Sequence, residues 1–117
     1  MASDELFGDP PSRVATATVN EPATKASHQL DTVVFGQAEN HRAPILAIGE
    51  VKWGEAMGHG HLNRLRHIRG LLTAQGRLGA EQATLACFSG AGFTPELEAE
   101  ARLARDITLI EIGALYS

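Results

Sequence analysis

A single cysteine, Cys87, is the only thiol in the 117-residue chain, so an internal disulfide framework is excluded. A reducing, cytoplasmic compartment is the expectation that follows. Long apolar runs are missing too: none approaches the ~20 residues that span a bilayer. The opening MASDELFGDPPSR has neither a basic region nor an apolar stretch, so it does not read as a secretion signal. Basic residues are in the minority, with 10 Lys and Arg against 14 Asp and Glu and a net charge of -4. That balance argues against a protein that coats nucleic acid indiscriminately. It leaves room for a local basic face, or for a site that meets phosphate through a metal ion.

What remains is ordinary for a globular domain: 44% hydrophobic and 21% charged residues. The length suits one domain that buries roughly two-thirds of its unfolded surface. Residues 1–13, broken by Gly8, Pro10 and Pro11, read as a flexible tail, and 14–117 as a single domain. Alternation and β-branched residues predict strands at VATATV (Val14 to Val19), QLDTVVFG and ILAIGEVKW. Short polar links between them predict an antiparallel meander. Leu62, Leu65, Ile68, Leu71 and Leu72 recur at helical spacing and predict a helix over Leu62 to Ala74. ATLACFSG is a fourth strand, FTPELEAEARLARD a second helix capped by Thr94 and Pro95, and ITLIEIGALY a last strand. The order β-β-β-α-β-α-β predicts an α/β domain of mixed α+β type, with a central mixed sheet of about five strands. The apolar fourth and last strands read as covered on both faces.

Two opposite charges end the smoothest apolar run. Leu46, Ile48, Glu50 and Lys52 should share one face of the third strand. Asp31 should share a face of the second strand with Val33 and Phe35, and a hairpin register can bring it near Glu50. Two carboxylates with a lysine suit a hard divalent cation, Mg²⁺ or Mn²⁺. Such an ion neutralises charge building on a phosphate and activates a bound water. The lysine adds a flexible point charge. The Val51 carbonyl, between the two side chains, is a further candidate ligand.

Asp31 followed by GEVK (Gly49 to Lys52) at the end of the next strand resembles the D…(D/E)xK signature of the PD-(D/E)XK nuclease superfamily. ASHQLDTVVFG, ILAIGEVKWG, HLNRLRHIRGLL and CFSGAGFT are similar to the C-terminal nuclease-like domain of prokaryotic AAA+ or STAND-type ATPases. The resemblance runs from about Val14 to Tyr116. It implies a restriction-endonuclease-like core and a Mg²⁺- or Mn²⁺-dependent deoxyribonuclease. Asp31 and Glu50 would hold the metal with Val51, Lys52 would assist catalysis, and DNA would be the substrate. It also implies an ATPase domain as partner in relatives, and a first core helix with another acidic residue. Before Val14 the acids Asp4, Glu5 and Asp9 lie in a stretch that does not read as a whole helix, so the chain reads as a stand-alone remnant. The alternative from the same residues is a catalytically inactive nucleic-acid- or protein-binding module. A sheet edge left open by the absent helix would make it a homodimer.

Other features carry simpler readings. His59, His61 and His67 lack a standard zinc spacing and read as part of a surface loop and helix. Cys87 reads as a small buried hydrophobe. SGAGF (Ser89 to Phe93) lacks the lysine and spacing of a P-loop and reads as a turn that needs positive φ. Arg64, Arg66, Arg69 and His67 read as a solvated face of mostly isolated charges. Trp53 reads as core or edge packing, able to stack on a base only where exposed.

Overall fold

The computed structural model describes residues 13–38 and 42–112. The expected tail thus lies almost wholly outside the described residues, as does the end of the expected last strand. Five strands form one mixed sheet in chain order: β1 (Arg13–Glu21), β2 (Ala26–Phe35), β3 (Ile45–Lys52), β4 (Thr84–Ser89) and β5 (Ile107–Glu111). β1, β2 and β3 pair antiparallel, and β3, β4 and β5 pair parallel. Parallel neighbours need a crossover. These are supplied by α1 (His59–Ala74), followed by a 3-10 turn at Ala80–Gln82, and by α2 (Pro95–Leu103). Among the described residues no helix is long and apolar enough to cross a membrane.

The core forms where both helices lie on one face of the sheet, as right-handed crossovers in a common direction require. Leu62, Leu65, Ile68 and Leu72 of α1, and Leu97 of α2, join Val19, Leu30, Val33, Ile45, Ile48, Leu85 and Cys87 in one buried cluster. Burying each large aliphatic side chain contributes roughly 1.5–3 kcal/mol. α1 begins at His59, three residues before its apolar stripe. Gly58 N–H donates to Nδ1 of His61 at 3.1 Å, and this bond secures the first turn. Thr94 caps α2, its hydroxyl accepting from Leu97 N–H at 3.2 Å.

Two bulges alter the expected side-chain faces. β1 and β2 slip register where Ala15 faces Val33 and Ala17 faces Leu30, leaving one extra residue on β2. Leu30 and Val33 therefore both reach the core, and Asp31 does not simply share the face of Val33 and Phe35. A second slip lies between Val34–Ala47 and Phe35–Ile45, with the extra residue on β3. It sends Ile45, rather than Leu46, to the face of Ile48 and Glu50. The last strand departs from expectation as well. β4 is buried through Leu85, Ala86 and Cys87, but β5 is an edge strand with only Ile107 buried.

Candidate functional site

The C-terminal end of β3 positions the charged pair. Here β3 still pairs with β4, Glu50 against Cys87 and Lys52 against Ser89, while the ladder to β2 ends at Thr32–Gly49. Strand alternation aims Glu50 and Lys52 toward the first turns of α1. Together with Gly60, His61 and Arg64 they line one cleft. Glu50 is a buried carboxylate, only 5% exposed. Gly49 lets β4 approach closely on the opposite face: a Cβ there would lie 3.0 Å from the Ala86 carbonyl oxygen and 3.0 Å from the Phe88 ring.

A buried carboxylate needs partners. Arg64, one turn into α1, donates from Nη1 to Oε1 of Glu50 and from Nη2 to the Gln29 carbonyl at 2.7 Å. Its guanidinium thus ties α1 to both β2 and β3. The other carboxylate oxygen, Oε2, is buried and has no hydrogen-bond partner among the described residues. Such an oxygen is a vacant hard ligand, the donor type that Mg²⁺ or Mn²⁺ selects.

Asp31 is placed differently from its neighbours. The bulge frees it from the ladder, and Oδ2 accepts from the Val51 amide at 2.9 Å. The exposed Asp31 carboxylate stands in for a strand carbonyl at the point where β2 leaves β3. It adjoins the Glu50–Lys52 segment through the Val51 backbone rather than lining the cleft.

The arginine face of α1 departs from the sequence reading. Instead of isolated solvated charges, each basic group has a structural tie. Arg64 holds Glu50, and Arg69 holds Asp106 at 2.8 Å and the Ala83 carbonyl at 3.0 Å. Arg66 lies 3.8 Å from Glu100, and His67 donates to Glu21 at 2.9 Å. The Arg69 guanidinium beside Asp106 holds that carboxyl below the usual range. The cause is geometric. Arg64 and Arg69 flank the apolar stripe, so their long stems run along the core edge while their heads reach the sheet. That flanking position is the one sequence signal that could have singled out Arg64.

Trp53 is 57% exposed, with Gly90 tucked against its ring, so it is not core. Cys87 is buried, its thiol pushed up to about 11 by burial and then by the nearby Glu50 charge. It is not a nucleophile at neutral pH. In the SGAGF turn Gly92 takes a φ of 93°, as the turn reading requires. No family model, curated protein or solved structure matches the chain.

Proposed function

We propose that the cleft at the end of β3 binds a divalent cation and a phosphodiester, as a nuclease-like site built on Asp31, Glu50 and Lys52. The observation that carries this reading is the buried Oε2 of Glu50, unpartnered among the described residues, in the same cleft as Lys52. A satisfied structural ion pair has no need to leave that oxygen bare. The element order supports the reading too. Glu50 and Lys52 end a central strand beside parallel β4, as the PD-(D/E)XK resemblance implies.

Mg²⁺ or Mn²⁺ held through the Glu50 carboxylate would supply neutralisation of phosphate charge and an activated water. The chain's own groups do the rest. Lys52 presents an ammonium to a phosphate oxygen, a point charge on a flexible stem. Asp31 fixes the Val51 amide, and so the strand segment from which Glu50 and Lys52 project. Trp53, next in sequence, offers an exposed ring for stacking against a base. Arg64 holds Glu50 at Oε1, and Oε2 is the oxygen that would be offered to a cation. DNA is the substrate class that the resemblance implies, and an AAA+ or STAND-type ATPase its partner.

The Arg64–Glu50 pair also favours a second reading. An arginine that permanently neutralises the carboxylate leaves a domain that keeps the fold and binds DNA or protein without cleaving. Incubation of plasmid DNA with Mg²⁺ or Mn²⁺ separates the two, using wild type, Glu50→Gln and Lys52→Ala. Cleavage by wild type that both substitutions abolish supports the nuclease. Equal background in all three, with no Mn²⁺ binding by calorimetry at millimolar concentration, leaves only the binding module.

A further inference from the structure

Away from this cleft, three side chains from three elements converge on one point. Glu21 ends β1, His28 lies on β2 and His67 on the outer side of α1. The β1–β2 ladder continues to Asn20–Ser27 and Glu21–Ala26, so only Pro22 to Lys25 form the turn. His28 pairs with Val19, a core residue, and therefore points to the helix-covered face with Glu21. α1 crosses that face and brings His67 onto the same carboxylate. Gln75, the C-cap of α1, donates to the Asn20 carbonyl at 3.0 Å and fixes the end of the helix against β1.

The geometry is convergent at the level of atoms. Nε2 of His28 and Nε2 of His67 each lie 2.9 Å from the same oxygen, Oε1 of Glu21. The two rings meet edge to face, with centroids 5.4 Å apart and planes at 76°. The ligand atoms of the three residues all lie within 4.8 Å of one another. Ligands on a tetrahedral Zn²⁺ with bonds of ~2.1 Å are separated by about 3.4 Å, so small side-chain rotations suffice. Glu21 and His28 side chains are largely buried, 16% and 21% exposed, while His67 at 51% leaves one side open to solvent.

We infer that Glu21, His28 and His67 form a binding site for a borderline divalent cation of the Zn²⁺ type, completed by a solvent ligand. Two imidazoles and one carboxylate are the donors such ions prefer, whereas Mg²⁺ would reject them. The ion takes the place between the three groups that imidazole protons fill in its absence. Nε2 lone pairs bind it in competition with protons, so uptake is weakened in acid. The site staples the β1–β2 hairpin to α1 and is independent of the Glu50 cleft.

The test uses full-length protein, stripped with chelator, at pH 7.5. Zn²⁺ is titrated by calorimetry, and Co²⁺ by its visible d–d absorption. One saturable equivalent at micromolar metal is expected, with the strong absorption of tetrahedral Co²⁺. His28→Asn and His67→Asn, checked for folding by circular dichroism, should each weaken binding beyond the roughly 10–100-fold lost on removing a supporting partner. His59→Gln, outside the cluster, should bind as wild type. Absence of saturable binding up to millimolar Zn²⁺ would overturn the assignment. So would undiminished binding by the folded His28→Asn/His67→Asn double variant, or binding lost in Glu50→Gln instead.

Discussion

Arg64 is the residue on which the stability of the cleft turns, and Arg64→Leu measures it. The substitution keeps the aliphatic stem against α1 but removes the guanidinium. Glu50, already bare at Oε2, then loses its partner at Oε1 while remaining 5% exposed. Breaking a buried pair from one side costs about 3–5 kcal/mol. Arg64 itself is 34% exposed at the side chain, so water screens part of that interaction. Water entering where the guanidinium stood lowers the cost further, to about 2 kcal/mol. The lost bond to the Gln29 carbonyl adds about 1 kcal/mol. The sum, about 3 kcal/mol, is a large share of the 5–15 kcal/mol of an ordinary domain. In urea, with a slope of about 1–3 kcal/mol per molar, the midpoint should fall by at least 1 M. Far-UV circular dichroism reads this without relying on the single, exposed tryptophan. The companion Arg64→Leu/Glu50→Gln should recover at least half of the loss, because the neutral amide removes the uncompensated charge. Arg64→Leu within about 0.5 kcal/mol of wild type would refute the reasoning, and so would a double variant no more stable than the single.

Acid stability follows from two carboxylates. Hydrogen bonds from His67 and then His28 lower Glu21, and Arg69 lowers Asp106. Stability from a depressed carboxylate is present above its unfolded pKa, about 4, and is lost as pH falls through the folded value. The urea midpoint should therefore decline below about pH 4.5, and Glu21→Gln should flatten that decline; an unchanged acid limb would count against the pairing. Cys87, with its thiol near 11 and fully buried, should resist a thiol-specific reagent at pH 8 in the native state and react once urea unfolds the chain. Rapid native labelling would show that β4 opens locally.

Much of this architecture could be read from local pattern. The period-2 runs, the leucine stripe of α1 and the Thr94–Pro95 start of α2 each depend on neighbours within a turn or two. The strand and helix order, and the shared face of Glu50 and Lys52, follow from that chemistry alone. Register is a different matter. The bulges beside Asp31 and Leu46 arise from matching twist and volume between strands, and a one-residue slip reverses every face beyond it. That is why Asp31 bonds the Val51 amide instead of lining the cleft, and why Ile45 displaces Leu46 from the core.

Long-range pairing was equally invisible. Nothing near Arg64 in the chain announces Glu50 and Gln29 as partners, and nothing near His67 announces Glu21 and His28. Local sequence determined which segments become strands and helices, because propensity and periodicity act over a few residues. The tertiary structure alone decided which charges meet, because packing α1 on a bulged sheet sets distances between residues far apart in sequence.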